Sequence, residues 1–310
     1  MRPLNTVIVI TYNQKNSIGR TLDSILCQKD FVYEIVVADD CSTDKNWDVI
    51  QSYRKKYPEL IKPFRNSKNL GIFGNTESTF TKAKGDIIWF IAGDDELCPG
   101  LFEKANELID LNNIDFTNEA FTMYFDFKTI DPNGKTSIFR NNLVENYNPI
   151  SLKIRQLISN RTSGISRKVF DKFYPVRKDI GIMADGLIDI QTQLFSEKVY
   201  YIKYIGSIYY TSIGISSRTD NVDLNHSEIL YLQELLTNIK FSNGDKQWIR
   251  YLILSLKFRL NPNLKNLSTY IINFFKGVGM NFGFPFFFKE LLRLILSVFK
   301  VSYKFLIGHY

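Results

Sequence analysis

Cysteine and histidine are scarce in this 310-residue chain. Cys27, Cys41 and Cys98 are odd in number and widely spaced. They match neither a disulfide framework nor a zinc pattern, so a reducing, cytoplasmic compartment is expected. With only His226 and His309, a histidine-based metal site is not expected. Long apolar runs are also lacking. No stretch of about 18 uncharged apolar residues is present, so a spanning helix is not expected. The apolar run at 4–10 is too short for a signal peptide and leads straight into Thr11-Tyr12-Asn13. Repeats and low-complexity linkers are missing as well. An evenly spread positive charge is the last absence. The net charge is +7, yet from Lys240 onward 11 Lys and Arg face only Asp245 and Glu290. The preceding residues hold 28 basic and 30 acidic groups. A near-neutral body with a basic tail is not the pattern of a nucleic-acid binder, so no nucleic-acid partner is expected.

The 45% of hydrophobic residues suffices for a sizeable core, and the length predicts one large domain plus an appendage. NTVIVIT at 5–11 is a short β-branched run, as in a strand buried on both faces. Ile18, Leu22, Ile25 and Leu26 then recur at helical spacing. Residues 33–38 predict a second strand, Val49, Ile50 and Tyr53 a helix ending before Pro58, and 60–64 a weaker strand. A polar stretch to Asn75 precedes a helix to Ala83, closed by Gly85. Residues 86–91 predict a fourth strand, and Pro99 opens a helix through Leu108. This alternation implies a parallel sheet with helices on both faces. From 112 the pattern changes. Antiparallel strands flank the turn Asp131-Pro132-Asn133-Gly134, a helix spans about 185–196, a strand 199–205, and 226–260 is helical.

In such sheets, ligands bind beyond the carboxyl ends of the strands. Those ends carry Thr11-Tyr12-Asn13, Asp39-Asp40 and Gly93-Asp94-Asp95. Asp94 and Asp95 can hold a divalent cation that neutralises a diphosphate leaving group, or they can favour the N-terminus of the next helix. Asp39 or Asp40 can accept from a base or ribose, while Ser42, Thr43 and Asp44 suit helix caps. Tyr12 can stack on a base or simply pack in its turn.

Taken together, VIVITYNQ, SILCQ, EIVVADDCSTD and NLGIFGNTESTFTKAKGDIIWFIAGDDE resemble the signature of family 2 glycosyltransferases. The likeness is close over 5–110, looser over 160–218 and absent beyond. It implies the glycosyltransferase A fold: a Rossmann-like, mostly parallel α/β sheet with helices on both faces, followed here by a helical appendage. The implied catalytic domain is 1–225, with a nucleotide-sugar half at 1–111 and an acceptor half at 112–225. The likeness puts Thr11, Tyr12 and Asp39 at the base, and the neighbouring Asn13 and Asp40 join that nucleotide-binding edge. Asp94 and Asp95 fall at the metal, magnesium or manganese, and at the diphosphate. The family often has Asp-x-Asp, and the position of its first aspartate is Ala92 here. The implied general base near a helix start is Asp185, with Ala184 where the family often has glutamate; Asp189 lies one turn on. YYTSIGISSR at 209–218 resembles a loop closing on the diphosphate, with Arg218 available to phosphate, and equally reads as an ordinary Gly/Ser loop. Lys68-Asn69 and Gly74-Asn75 lie in the segment that reaches the sugar, where a solvated loop is the plainer reading.

On a helix, Lys289, Arg293, Lys300 and Lys304 fall within roughly 60° of one another, beside a broad aromatic and apolar face. Such a stripe suits an anionic membrane surface, or the outer face of a packed helix. The expected function is inverting transfer from a nucleotide-diphosphate sugar, UDP-linked by expectation, to a glycan hydroxyl, lipid-linked, in surface polysaccharide synthesis. The expected location is peripheral, on the inner face of the cell membrane. The rivals are a sugar-nucleotide nucleotidyltransferase and a degenerate domain that binds without turnover.

Overall fold

The computed structural model describes residues 2–146, 148–154, 159–173, 184–211, 221–261 and 272. Among them, β1 (Asn5–Thr11), β2 (Val32–Asp39), β3 (Ile61–Arg65) and β4 (Ile87–Ala92) form a parallel sheet in the order β3-β2-β1-β4. α1 (Ile18–Leu26), α2 (Asn46–Lys56) and α3 (Gly71–Glu77) lie between them in sequence. The apolar strands alternate between two faces, as a period of two requires. Val7, Val9, Ile35, Val37, Trp89 and Ile91 pack with Ile18, Leu22 and Ile25 of α1 and with Ile50 of α2. Ile8, Val36 and Ile88 pack on the other face with Ala83, Val169 and Phe170. Both faces are therefore covered, which is why the strands read as continuous apolar runs.

Beyond β4 the sheet is mixed. β5 (Glu96–Leu97) is followed by α4 (Leu101–Asn112), β6 (Phe121–Ile130) and β7 (Thr136–Phe139). α5 (Pro149–Ile154), β8 (Ser163–Ser166), α6 (Arg167–Phe170), α7 (Ala184–Phe195) and β9 (Lys198–Tyr210) complete this unit. β8 runs antiparallel to both β4 and β6, β9 parallel to β6, and β5 antiparallel to β9. The β6–β7 hairpin closes on the expected turn, where Asp131 Oδ1 accepts from the amides of Asn133 and Lys135 at 2.9 Å each.

The described residues fall into two compact units. The second contains α8 (Asn221–Asn238) and α9 (Asn243–Leu260), around Leu232, Leu235, Trp248, Ile249 and Leu256. The helical stretch expected at 226–260 is thus two helices. Ser242 caps the second, its Oγ accepting from the Asp245 amide at 3.1 Å.

Three local expectations are corrected. α3 starts at Gly71, inside the stretch expected to be polar loop, and stops at Glu77. Residues 78–83 continue in tight turns, with the hydroxyls of Ser78 and Thr79 bonded to the carbonyls of Asn75 and Thr76. Gly85 is not a left-handed helix cap. It lets β1 approach, since a Cβ there would lie 2.3 Å from the Leu4 carbonyl oxygen. Pro99 lies two residues ahead of α4, whose N-cap is Gly100 at φ +84°.

Candidate active site

The ends of β1 and β2 are bound together. Asn13 and Cys41 both hold left-handed backbone, φ 53° and 61°. The Asn13 amide donates to Ser42 Oγ at 2.9 Å, and the Thr43 amide donates to Asn13 Oδ1 at 2.8 Å. Asp39 is fully buried. Its Oδ1 accepts from Asn46 Nδ2 at 2.8 Å, and its Oδ2 from the Ser42 amide at 3.0 Å. Arg65 Nε lies 3.2 Å from the same Oδ2. Asp40 Oδ1 accepts from Asn66 Nδ2 and from the Leu70 amide. Of the expected caps, Ser42 and Thr43 do not cap α2. The N-cap position of α2 is Lys45, but Asp44 Oδ1 still accepts from the Asn46 amide that opens the helix, at 3.0 Å, while Ser42, Thr43 and the other Asp44 oxygen tie the β1 and β2 loops. Thr11 is buried beside Asn46, and Tyr12 is partly exposed at the same edge. Asn75 is buried, bridging Ala38 and Asn66, while Lys68 is exposed.

The acid pair sits where β4 ends. One polar stripe of α1, at helical spacing, holds it there. Ser17 Oγ donates to the Gly93 carbonyl at 3.0 Å, Arg20 Nη2 to that of Asp94 at 2.7 Å, and Thr21 Oγ1 to that of Asp95 at 2.7 Å. Ser24 Oγ accepts from the Leu97 amide, and Gln28 Nε2 donates to the Cys98 carbonyl. Gly93 lets the end of β1 come close, since a Cβ there would lie 2.6 Å from Gln14 Oε1 and 2.7 Å from Thr11 Oγ1. Asp94 and Asp95 are 5% and 8% exposed. Burial raises the Asp94 carboxyl above its usual range, against the pull of its backbone hydrogen bond, Gln14, Arg161 and Arg20. Burial, then the charge of Asp94, pushes Asp95 up to about 7.

The end of β9 completes the site. The Tyr210 amide donates to Asp95 Oδ1 at 3.1 Å. Arg20 lies over the Tyr210 ring at 3.8 Å and pairs with Glu96 at 2.9 Å. Arg161 lies over the Tyr209 ring at 3.6 Å. Sequence reasoning passed over Arg20, Arg161 and Gln14. The spacing of Ser17, Arg20, Thr21, Ser24 and Gln28 was the available signal for Arg20. Asp185 is the second residue of α7, and its side chain lies outside the described residues, as do residues 212–218 with Arg218. Asp189 lies on the same helix, one turn along, its carbonyl accepting from Gln193.

The model of "Glycosyl transferase family 2" matches residues 6–173, more than half of the chain, and the chain belongs to that family. The GalNAc(5)-diNAcBac-PP-undecaprenol beta-1,3-glucosyltransferase of Campylobacter jejuni is 27% identical, the match covering 96% of this chain and 94% of that one. An uncharacterized protein of Mycobacterium bovis is 33% identical over 91 residues, 29% of this chain. The match spans about a quarter, 26%, of that relative's length. The fold is similar to that of S. aureus TarS 1-349 in complex with UDP, at a TM-score of 0.65 and 18% identity. That likeness covers 99% of this chain and 92% of the other. The mannosyltransferase PcManGT from Pyrobaculum calidifontis, in complex with GDP-Man and Mn2+, gives a TM-score of 0.56 at 13% identity. It covers 98% of this chain and 87% of that one.

Proposed function

We propose that the chain transfers a sugar, with inversion, from a nucleotide-diphosphate sugar to a hydroxyl of a lipid-linked glycan. The observation that carries this reading is the buried Asp94-Asp95 pair, clamped by α1 at the end of the parallel strands and flanked by two guanidinium groups. The full-length match to an enzyme named for an undecaprenol-linked substrate supports the acceptor class. TarS with UDP supports a uridine donor. The edge formed by Thr11, Tyr12, Asn13, Asp39 and Asp40 receives the nucleotide, with Asp39 also holding the loop that forms it.

Among the described residues, no group of three or more His, Cys, Asp or Glu could hold a metal ion. Two carboxylates alone fit magnesium or manganese that also takes donor phosphate oxygens. Gln14 Oε1, buried and without a hydrogen-bond partner among the described residues, adds an acceptor beside Asp94. The cation supplies neutralisation of the diphosphate charge. In the transfer, the acceptor oxygen bonds the anomeric carbon and the bond from that carbon to the β-phosphate oxygen breaks. Its electron pair stays on the phosphate, and the acceptor proton passes to a carboxylate, for which Asp185 is the candidate.

The test is turnover with UDP-, GDP- and dTDP-sugars, manganese and an undecaprenyl-diphosphate-linked glycan. Transfer with inverted anomeric configuration is expected. Retained configuration, or a diphosphate-sugar synthesised rather than consumed, rejects the reading.

A further inference from the structure

A charge count at the acid pair leaves a deficit. Two carboxylates and one divalent cation cancel, so the diphosphate and the charge arriving on it during transfer need another partner. Arg20 is engaged by Glu96 and by the Asp94 carbonyl. Arg65 is likewise engaged, by Asp39 and the Ser42 carbonyl. Arg161 is exposed, and among the described residues its guanidinium has no carboxylate within ion-pair distance.

Strand register places Tyr209, and with it Arg161, at the acid pair. β4 and β8 pair antiparallel as Ile87–Ser166, Ile88–Ile165 and Trp89–Gly164. Arg161 lies just before β8, in a 3-10 turn spanning Asn160–Thr162 that leaves this register. β5 and β9 pair as Glu96–Ile208 and Leu97–Ser207. Continued by one, this register sets Tyr209 opposite Asp95. The guanidinium lying over Tyr209 is thus beside both carboxylates, and its charge acts on both. Its backbone is fixed. The Ser159 amide donates to Asn141 Oδ1, and Asn141 Nδ2 donates back to the Ser159 carbonyl. Asn160 Oδ1 accepts from Tyr124 Oη at 2.9 Å and from Gln193 Nε2 at 3.0 Å. The Thr162 and Ser207 hydroxyls are bonded. A guanidinium on a fixed backbone and held over a ring presents its donor fork with little entropy left to lose.

We infer that Arg161, lying over the Tyr209 ring beside the acid pair, is the residue that binds the donor's β-phosphate and receives the leaving diphosphate. The inference rests on the transferase reading above.

The test is calorimetry on the full chain with manganese, titrating UDP, GDP, dTDP and CDP, then the monophosphate of whichever binds. Arg161→Met is expected to lower diphosphate affinity at least tenfold and monophosphate affinity less than twofold. Arg161→Lys, which keeps the charge but not the fork, falls between. Melting temperatures of all three proteins are recorded alongside, and should Arg161→Met unfold, the same ratio is read on Arg161→Lys. A diphosphate-to-monophosphate ratio equal to wild type overturns the inference while leaving the transferase reading intact. A wild type that binds none of the four diphosphates overturns both.

Discussion

Asp94 and Asp95 are adjacent and buried, with one oxygen of Asp95 held by the Tyr210 amide. That leaves Asp94 as the better-placed cation ligand. In thermal unfolding, manganese together with UDP is expected to raise the melting temperature well beyond manganese alone, because the site is complete only with phosphate oxygens present. Asp94→Ala removes that increment and the turnover while keeping its circular dichroism. Full activity in excess chelator would defeat the cation role. Asp185→Asn is expected to leave UDP affinity near normal and to cost at least roughly a hundredfold in turnover. Near wild-type turnover would move the base elsewhere. The acid pair was legible because a strand-end position follows from the apolar run before it. Arg161 was not, since what sets it beside the acid pair is its contact with the Tyr209 ring on a strand far along the chain. Asp39 illustrates the converse. Its place was legible, but the three groups that occupy its oxygens were not.

The elements of the first half follow from periodicity. β1 and α1 fall where the apolar spacing puts them, within the strands and stripes that fill both sheet faces. α3 and α4 shifted because glycine and side-chain bonds set their starts: Gly71 and Gly100 both hold positive φ. One contact between helices has a measurable pH signature. Tyr53 Oη on α2 donates to Asp23 Oδ1 at 2.8 Å and to the Gly19 carbonyl at 3.2 Å on α1. Partial burial and the Asp23 carboxylate push the Tyr53 phenol up to about 12. The unfolded chain releases this proton near pH 10, so the folded form binds more protons between pH 10 and 12. Stability from this contact is therefore present below pH 10 and falls as pH rises through that window. In an absorbance titration at 295 nm, Tyr53→Phe should remove one of the late-ionising phenols, while those of Tyr201 and Tyr124, also raised chiefly by burial, stay late. An unchanged alkaline limb in the Phe variant would refute the assignment.

At the scale of the whole chain, no helix among the described residues is long and apolar enough to cross a membrane. The residues 286–308, where a basic stripe is expected, lie outside the described set. Their composition still makes a prediction. Lys289, Arg293, Lys300 and Lys304 contribute about 1 kcal/mol each at an anionic bilayer, less in salt. Truncation before Phe286 should release the protein from anionic vesicles in co-sedimentation and spare transfer to a small soluble acceptor. A full-length protein that stays in the supernatant at low salt would make the stripe an outer face of a packed helix. The second unit was only half legible. Its helical content shows in the residue spacing, while the break between α8 and α9 depends on the Ser242 cap.

The five bonds from α1 and its flanking Ser17 and Gln28 to residues 93–98 also decide how damage to this protein would be diagnosed. Thr21 is completely buried, yet its hydroxyl holds the Asp95 carbonyl. On the transferase reading proposed above, a screen scoring only product would place a Thr21→Val clone among the chemical knockouts, although valine there is nearly the same size and its residue need meet no sugar. Hydrogen exchange would tell the two apart. The amides of 93–98 and of α1 should lose protection together in such a clone, as one cooperative unit.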